Sequence, residues 1–446
     1  MGIAVATICT DEFHALARAE AEILGNPGLP LIVVPHPVAK LRRNEVTALA
    51  ETVLNEVIHA WTDDAVTLQT EYRDRELEQA VRLRYHSLFE GNYNAPDAPA
   101  TFNAPESYDA TNGLLYQRGW TDGLPIVPPT GDRVEAMLGD WQAETLLGLV
   151  EPKLGRATAR KIAANAVMAG AAPEHFAILL AAVRAITQEP FNLKALQTTT
   201  HPCTVMMLLN GPIIEAAGIN TTYNLMGQGR LANAALGRAL RFVLLNIGGA
   251  APGVLDRSTM GTPAKFAFCF GENAVDSPWQ PLHVERGFAM DESTVTVAGV
   301  EGPHNVNDHF GRTAEEVLTT VAGTIASVGS NNSYLGGEIL VVLGPEHAEV
   351  IARDGLTKTD VKRFFLERAI IPGHHISEAQ GQVMARRVPD RLLGSDWRAG
   401  VRIISDPDDI MLVVAGGSGR HSCVIPSFGS TRSVTLPITD AAGGRL

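Results

Sequence analysis

The sequence predicts an α/β protein in two parts: an N-terminal βαβα unit and a larger α/β domain with strand–glycine-turn–helix units. Three observations predict this fold class. From residue 2 to residue 61, apolar runs of strand length alternate with segments of helical spacing, the order of a parallel α/β unit. Residues 91–113 are rich in Asn, Pro and Ala, which is typical of a linker. Beyond them, apolar runs at 205–209, 339–343 and 410–415 lead into glycine-containing turns.

The N-terminal unit is predicted from two strands and two helices. Residues 2–8 predict a short buried strand, and Asp11–Leu24 has helical spacing that ends before Gly25-Asn26-Pro27-Gly28, a strong stop signal. Leu29–Val34 predicts the second strand, and Asn44 can cap a helix that runs to Trp61. Since two strands cannot form a stable sheet alone, we expect the unit to borrow strands from elsewhere in the chain or from another subunit.

The chain divides into three segments. A charged helix predicted at 72–90 completes a first domain, 1–90, which is followed by a linker at 91–115 and a large domain at 116–446. In the large domain, Gly119–Thr130 has too many Gly and Pro residues for a helix and predicts a structured loop.

Composition and charge limit the classes of function. The chain of 446 residues has 45% hydrophobic and 19% charged residues and a formal net charge of −13, so we expect no nucleic-acid partner. Four dispersed cysteines without a CxxC pair, no secretory signal and no membrane span favour a cytoplasmic protein. The incomplete N-terminal unit and the apolar helices at 158–186 and 231–247 suggest a homo-oligomer. No P-loop or GxGxxG motif is present, so a nucleotide cofactor is not predicted.

The stretch Asp409–Thr435 is the first candidate site, because its strand leads directly into a glycine-rich turn followed by His421 and Cys423. Ligands of open α/β sheets bind at the carboxyl ends of strands. Backbone donors and cations would hold an anionic group there: Gly416, Gly417, Gly419, Arg420 and Arg432. The alternative is a structural glycine turn with a buried His and a small apolar Cys.

Cys9 and His36 are the second candidate site. Cys9 lies between the first strand and the first helix, and His36 lies at the end of the neighbouring strand. Because the carboxyl ends of parallel neighbours share one edge of a sheet, the thiol and the imidazole can meet as a nucleophile and its base. The alternative is a buried structural Cys and a loop His.

Further polar residues lie in three motifs. Thr200, His201 and Cys203 precede a strand, and they form either a metal or anion site or a capped turn. His304, Asn305 and His309 lie in a short loop whose spacing is not that of a helical metal motif. Thr121 and Asp122 follow Trp120 in the structured loop, where they can orient a substrate or form an ordinary turn.

With these residues in view, the chain resembles the UGSC family of bacterial (seleno)proteins. The family motif is a selenocysteine or Cys, then Gly-Ser-Cys, and the corresponding stretch here is Ala6-Thr7-Ile8-Cys9. If the motif works as a redox couple, this chain cannot run that cycle within the motif, because Ala6 replaces the first position. In the large domain the resemblance rests on these segments: Gly119–Thr130, Thr199–Pro202, Asn210–Pro212, Pro281–Gly287, Gly302–Asn307, Leu343–His347 and Val413–Ile425.

Three functional hypotheses follow. The first is an enzyme on a small polar or anionic molecule, with lyase- or reductase-like chemistry, in which Cys9 is a thiolate nucleophile or thiol acid/base and His36, His201 or His421 moves protons. The second is a metal-dependent enzyme with a transition metal bound by residues among the following: His201, Cys203, His304, His309, His421 and Cys423. The third is a non-catalytic ligand- or metal-binding protein. Thr121, Asp122, Thr200 and Asn305 are candidate substrate contacts.

Overall fold

The computed structural model describes residues 4–73 and 101–446 and confirms the α/β fold class. Two four-stranded sheets pack face to face, and helices cover the outer face of each sheet. The order of the layers is therefore helix, sheet, sheet, helix. In the described ranges, every helix is too short or too polar to cross a membrane.

The N-terminal unit has the predicted βαβα order. Its elements are β1 (Thr7–Thr10), α1 (His14–Ile23), β2 (Leu31–Val34) and α2 (Arg43–Thr62). The strands pair in parallel, and no other strand of the described chain joins them, so the expected extension by strands of the same chain is not found. Ion pairs join the unit to the large domain: Lys194 Nζ lies 2.6 Å from Glu20 Oε2, and Arg257 pairs with Glu12.

The segment after this unit is described only in part. A helix, α3, covers 65–73, and the helix predicted at 72–90 otherwise lies outside the described residues. Of the predicted linker, 101–107 is irregular chain and α4 (Tyr108–Gln117) occupies the last positions.

The two large sheets are built from strands of the large domain. The first contains β5 (Thr204–Asn210), β6 (Cys269–Gly271), β7 (Thr294–Val300) and β14 (Val434–Pro437), in the order β14-β7-β5-β6. The second contains β8 (His304–Asn307), β9 (Ile339–Leu343), β12 (Ile410–Val414) and β13 (His421–Pro426), in the order β12-β9-β13-β8. Two small antiparallel sheets pair β3 (Leu146–Val150) with β4 (Gly155–Thr158), and β10 (Ile370–Ile371) with β11 (Val401–Arg402).

Helices fill the connections of both halves. Those before β8 are α5 (Gly131–Leu138), α6 (Ala159–Ala169), α7 (Phe176–Ile186), α8 (Leu193–Thr198), α9 (Ile213–Ala216), α10 (Leu231–Asn246) and α11 (Leu282–Glu285). Those after it are α12 (Ala314–Ile325), α13 (Asn331–Leu335), α14 (Pro345–Arg353), α15 (Lys358–Arg368) and α16 (Glu378–Arg387).

Apolar residues on the central strands face both ways, which explains their uninterrupted apolar sequences. On β5, Met206 and Leu208 face the layer between the sheets, whereas the alternate positions face the helices. On β9, Leu340 and Val342 face the same inner layer. The inner layer joins the two sheets into one core.

The two halves of the large domain repeat one arrangement. β5 is parallel to β6 and antiparallel to β7, and β9 is parallel to β12 and antiparallel to β13. In each half the first strand leads through Gly-Pro into a helix, as the sequence predicts at Gly211-Pro212 and Gly344-Pro345. The next strand of each half crosses to the other sheet, since β8 pairs with β13 and β14 pairs with β7.

The third predicted strand–glycine unit has a different continuation. After β12 the chain turns through Gly416–Gly419 into β13, not into a helix. The N–H of Gly416 donates to Thr221 O at 2.9 Å, and a Cβ on Gly417 would lie 2.2 Å from the Tyr223 ring. Gly417 therefore lets the two loops pack closely, whereas Gly416 adopts a φ of +102° that favours glycine.

Gly237→Ala is expected to destabilise the large domain by about 1–3 kcal/mol through overpacking. Gly237 lies in α10, where an added Cβ would be 2.5 Å from the backbone N of Phe268. Urea denaturation of both proteins measures the difference. Gly113→Ala in α4 is the control, because nothing lies within 4 Å of its Cβ position. Equal effects of the two substitutions would contradict the close packing of α10 on the chain before β6.

Candidate functional site

The register of the first sheet brings two distant polar residues together. Thr204 pairs with Val300 in the antiparallel ladder of β5 and β7. The chain before β5 and the chain after β7 therefore lie side by side. His201 lies in the first segment and Glu301 in the second, and His201 Nε2 is 2.9 Å from Glu301 Oε1.

The His201–Glu301 pair is fixed from several directions. Since a carboxylate only accepts hydrogen bonds, His201 donates through Nε2, and Glu301 Oε1 also accepts from the backbone N of Asn331 at 3.0 Å. The ring of His201 lies 5.6 Å from that of Phe428. The side chains are 16% and 21% exposed. His201 Nδ1 is buried without a partner among the described residues.

Glu301 lines a polar cavity of about 660 Å³. One face of α12 supplies Thr320, Gly323 and Thr324, and the edge strand β8 supplies His304. The other lining residues are Gly302, Pro303, Ser327, Gly329, Ser330, Val424 and Pro426. Hydroxyl groups and one carboxylate in a concave site suit a small polar ligand.

A second cavity of about 270 Å³ contains the predicted contacts Thr121 and Asp122. Asp122 accepts a bidentate pair from Arg238, at 2.6 Å from Nε and 2.8 Å from Nη2. Asp256 accepts from Lys265 Nζ at 2.9 and 2.7 Å and from Arg241 Nη2 at 3.2 Å.

Cys203 is buried within electrostatic reach of charged residues that line both cavities. Burial raises the pKa of its thiol to about 12, and Lys265, Asp256 and Glu301 make smaller electrostatic contributions. The Sγ atom lies 3.6 Å from Leu196 O. The buried thiol is therefore protonated at neutral pH.

His36 follows β2, as predicted, whereas Cys9 lies within β1 and not after it, because the strand spans Thr7–Thr10 and not 2–8. His36 Nδ1 lies 3.1 Å from Thr10 Oγ1, and its backbone N donates to Asp11 Oδ1 at 2.9 Å. Cys9 is half-buried one residue earlier on β1. A functional pair of Cys9 and His36 stays a prediction.

His421 is the first residue of β13 and lies away from His201. Its Nδ1 lies 3.0 Å from Asn305 Oδ1, and its ring lies 5.2 Å from that of His309. Glu301 N donates to Pro426 O at the other end of β13. A strand of 6 residues separates its ends by roughly 16 Å, so His201 and His421 do not share one reacting centre.

The two cations predicted to act at the glycine turn, Arg420 and Arg432, contact other groups. Arg420 donates from Nε to Asp308 O at 3.0 Å and also contacts Gly311 O. Arg432 pairs with Asp409, at the amino end of β12, whereas the glycines follow its carboxyl end. The N–H of Gly416 is bonded to Thr221 O, and an anion site at Gly417 and Gly419 stays a prediction.

The predicted metal ligands are dispersed. Cys203 lies beside the first sheet, His201 beside Glu301, and His304 at the larger cavity, while Cys423 packs against the inner core. His309 and His421 are neighbours. Within residues 4–73 and 101–446, no group of three or more His, Cys, Asp and Glu side chains could hold a metal ion.

Sequence reasoning did not identify Glu301 or, at the smaller cavity, Arg241, Asp256 and Lys265. Glu301 directly precedes the motif Gly302–Asn307. This position is the one sequence signal that points to Glu301 as a site residue. Thr200 is exposed beside His201, and Asn305 contacts His421 instead of the cavity.

The comparison with family models gives a match for the N-terminal unit. Residues 1–63 match the UGSC family, as the resemblance of this unit predicts. The motifs of the large domain lie outside the matched residues. The comparison with curated proteins gives no match.

Proposed function

We propose that this chain, which carries a UGSC-family unit over residues 1–63, is an enzyme that performs acid–base chemistry on a small polar molecule. The observation that carries the proposal is the His201–Glu301 pair at the wall of the cavity of about 660 Å³. A carboxylate held by an imidazole and facing a concave polar site is a common arrangement for proton transfer.

Glu301 is the residue we assign to the proton transfer, because it lines the cavity. Its Oε1 already accepts from His201 and Asn331, and its second oxygen can take a proton from a bound molecule. His201 is a positioning residue, since it touches Glu301 and is not among the residues that line the cavity. Its hydrogen bond fixes the plane of the carboxylate.

The reaction class supported best is lyase-like: proton abstraction followed by loss of a leaving group, or the reverse addition. The hydroxyl-bearing side chains of Thr320, Thr324, Ser327 and Ser330 surround the site. They are suited to hydrogen bonds with a hydroxylated or amide-containing substrate. The cavity volume suits a small molecule.

Incubation of the full chain with a mixture of small polar metabolites, followed by mass spectrometry, tests this function. We expect at least one compound to be consumed and a product to accumulate in proportion to enzyme concentration. If no compound changes although some bind, the non-catalytic binding hypothesis takes its place.

Thiol chemistry at Cys9 is the second candidate function. The ion pair between Glu12 and Arg257 favours it. Arg257 is the sequence neighbour of Asp256 and Ser258, and both of these residues line the smaller cavity. This contact brings the edge of the N-terminal unit that carries His36 near a cavity of the large domain. Cys9→Ser is expected to abolish such a reaction, and unchanged turnover would remove Cys9 from the mechanism.

Cys9 is expected to react with iodoacetamide faster than the other three cysteines in native protein at pH 8. Burial raises the pKa of Cys203, Cys269 and Cys423 to about 12, so their thiolate fractions are very small. Peptide mapping by mass spectrometry measures the labelling of each residue. Unfolded protein, in which all four should react, is the control, and rapid native labelling of any buried cysteine would contradict the assignment.

A further inference from the structure

We propose that the smaller cavity, of about 270 Å³, binds a small organic monocarboxylate with an apolar tail. This site is separate from the one that contains Glu301, and the proposal does not depend on the proposed function. The recognition would come from Lys265 and Arg241 for the carboxylate and from the apolar wall for the tail.

The charge balance of the cavity is the first argument. The lining residues include two cations, Arg241 and Lys265, and two carboxylates, Asp122 and Asp256. A third cation, Arg238, pairs with Asp122 and belongs to the same ion-pair cluster without lining the cavity. None of these five side chains is more than 18% exposed. Among the described residues, one positive charge therefore remains uncompensated in a largely buried cluster, and an unpaired charge is costly in such a place. A bound monoanion would neutralise it.

The hydrogen-bond geometry of Lys265 is the second argument. Its two described hydrogen bonds both go to Asp256, at 2.9 and 2.7 Å. An ammonium group has three donors, so one remains for a ligand. Burial lowers the pKa of Lys265, Asp256 raises it, and Arg241 lowers it again. An anion beside the ammonium would oppose this lowering and stabilise the charged form.

Arg257, the next cation along the chain, does not change this balance. Its charge is compensated by Glu12 of the N-terminal unit, with which it forms an ion pair. Glu12 of the N-terminal unit thus neutralises the charge of Arg257, and the excess positive charge beside Lys265 is unchanged.

The apolar wall is the third argument, because it limits the chemistry of the rest of the ligand. Leu245, Pro252, Met260 and Phe266 line the cavity, and Met260 and Phe266 are 84% and 52% exposed. Exposed apolar side chains next to a charged group suit a ligand with an aliphatic or aromatic tail. A fully polar anion such as inorganic phosphate would leave this wall without a contact.

Titration calorimetry of the full chain with hexanoate, hexanamide and inorganic phosphate tests the proposal. We expect hexanoate to bind roughly tenfold or more tightly than hexanamide, since only the carboxylate forms charge-assisted hydrogen bonds. Phosphate should bind more weakly than hexanoate. Equal affinities for hexanoate and hexanamide, or a higher affinity for phosphate than for hexanoate, would overturn the proposal. Both comparisons use the native chain.

Variants locate the site. Lys265→Met should weaken hexanoate roughly tenfold and leave hexanamide unchanged, whereas Lys265→Arg should keep most of the affinity. Lys362→Met is the matched control, because Lys362 is a similarly buried lysine that pairs with Glu285 and is not among the residues of this cavity. Met260→Glu, at a highly exposed position, tests the same site without disturbing the core and should also weaken hexanoate. Unchanged hexanoate binding in both Lys265→Met and Met260→Glu would place the site elsewhere.

Discussion

Glu301→Gln is expected to lower turnover by about 10²- to 10⁴-fold, the usual contribution of general acid–base catalysis. The amide keeps the size of the side chain but cannot take a proton. Because the carbonyl oxygen of Gln can still accept from His201 and Asn331, the fold should be retained. Steady-state kinetics on the compound consumed by the native chain measure the effect.

Three further variants separate catalysis from structure. Glu301→Asp should keep part of the activity, because it retains a carboxylate at a shifted position. His201→Gln should give a smaller loss together with a changed pH profile of the rate, since it alters the environment of Glu301 and does not remove the carboxylate. Glu315→Gln replaces an exposed carboxylate on α12 and should have no effect. Full activity in Glu301→Gln would end the assignment.

Phe270→Ala is expected to lower the free energy of unfolding by about 3–5 kcal/mol, as for other large-to-small changes in cores. Phe270 is fully buried on β6 and belongs to the apolar layer between the two large sheets. Its ring lies 6.2 Å from that of Phe268. Removal of the side chain would leave a cavity where the sheets meet, and urea denaturation measures the loss.

The control for this substitution is Phe310→Ala, at a side chain that is 89% exposed. We expect a change within about 0.5 kcal/mol there. A small effect of Phe270→Ala would contradict the face-to-face packing of the sheets. An equally large effect of Phe310→Ala would indicate that its surface is buried in an oligomer.

Much of the fold could be predicted because local signals specify it. The apolar runs of β5 and β9 and the following Gly-Pro positions predict strand, turn and helix correctly. The turn after β12 was misleading, because glycines allow a turn into either a helix or a strand. Only the neighbouring strands β8 and β9, which pair with β13 on both sides, determine the continuation. The exchange of β8 and β14 between the sheets is likewise a long-range property.

The candidate site could be predicted only in part, for a similar reason. His201 was identified from its polar neighbours, but its partner Glu301 lies 100 positions away and is placed by the β5–β7 register. Thr121 and Asp122 were identified as contacts, whereas the cations that surround them come from α10 and the loop before β6. His421 was assigned to the same group as His201, and the length of β13 separates them.

The crystal structure of the Glu301→Gln variant with the consumed compound tests the central claim most directly. The compound should lie in the cavity lined by α12 and β8, with a reacting atom within hydrogen-bond distance of the side chain at position 301. A compound bound beside His421, beside Cys9 or in the smaller cavity, with position 301 out of contact, would contradict the proposed function.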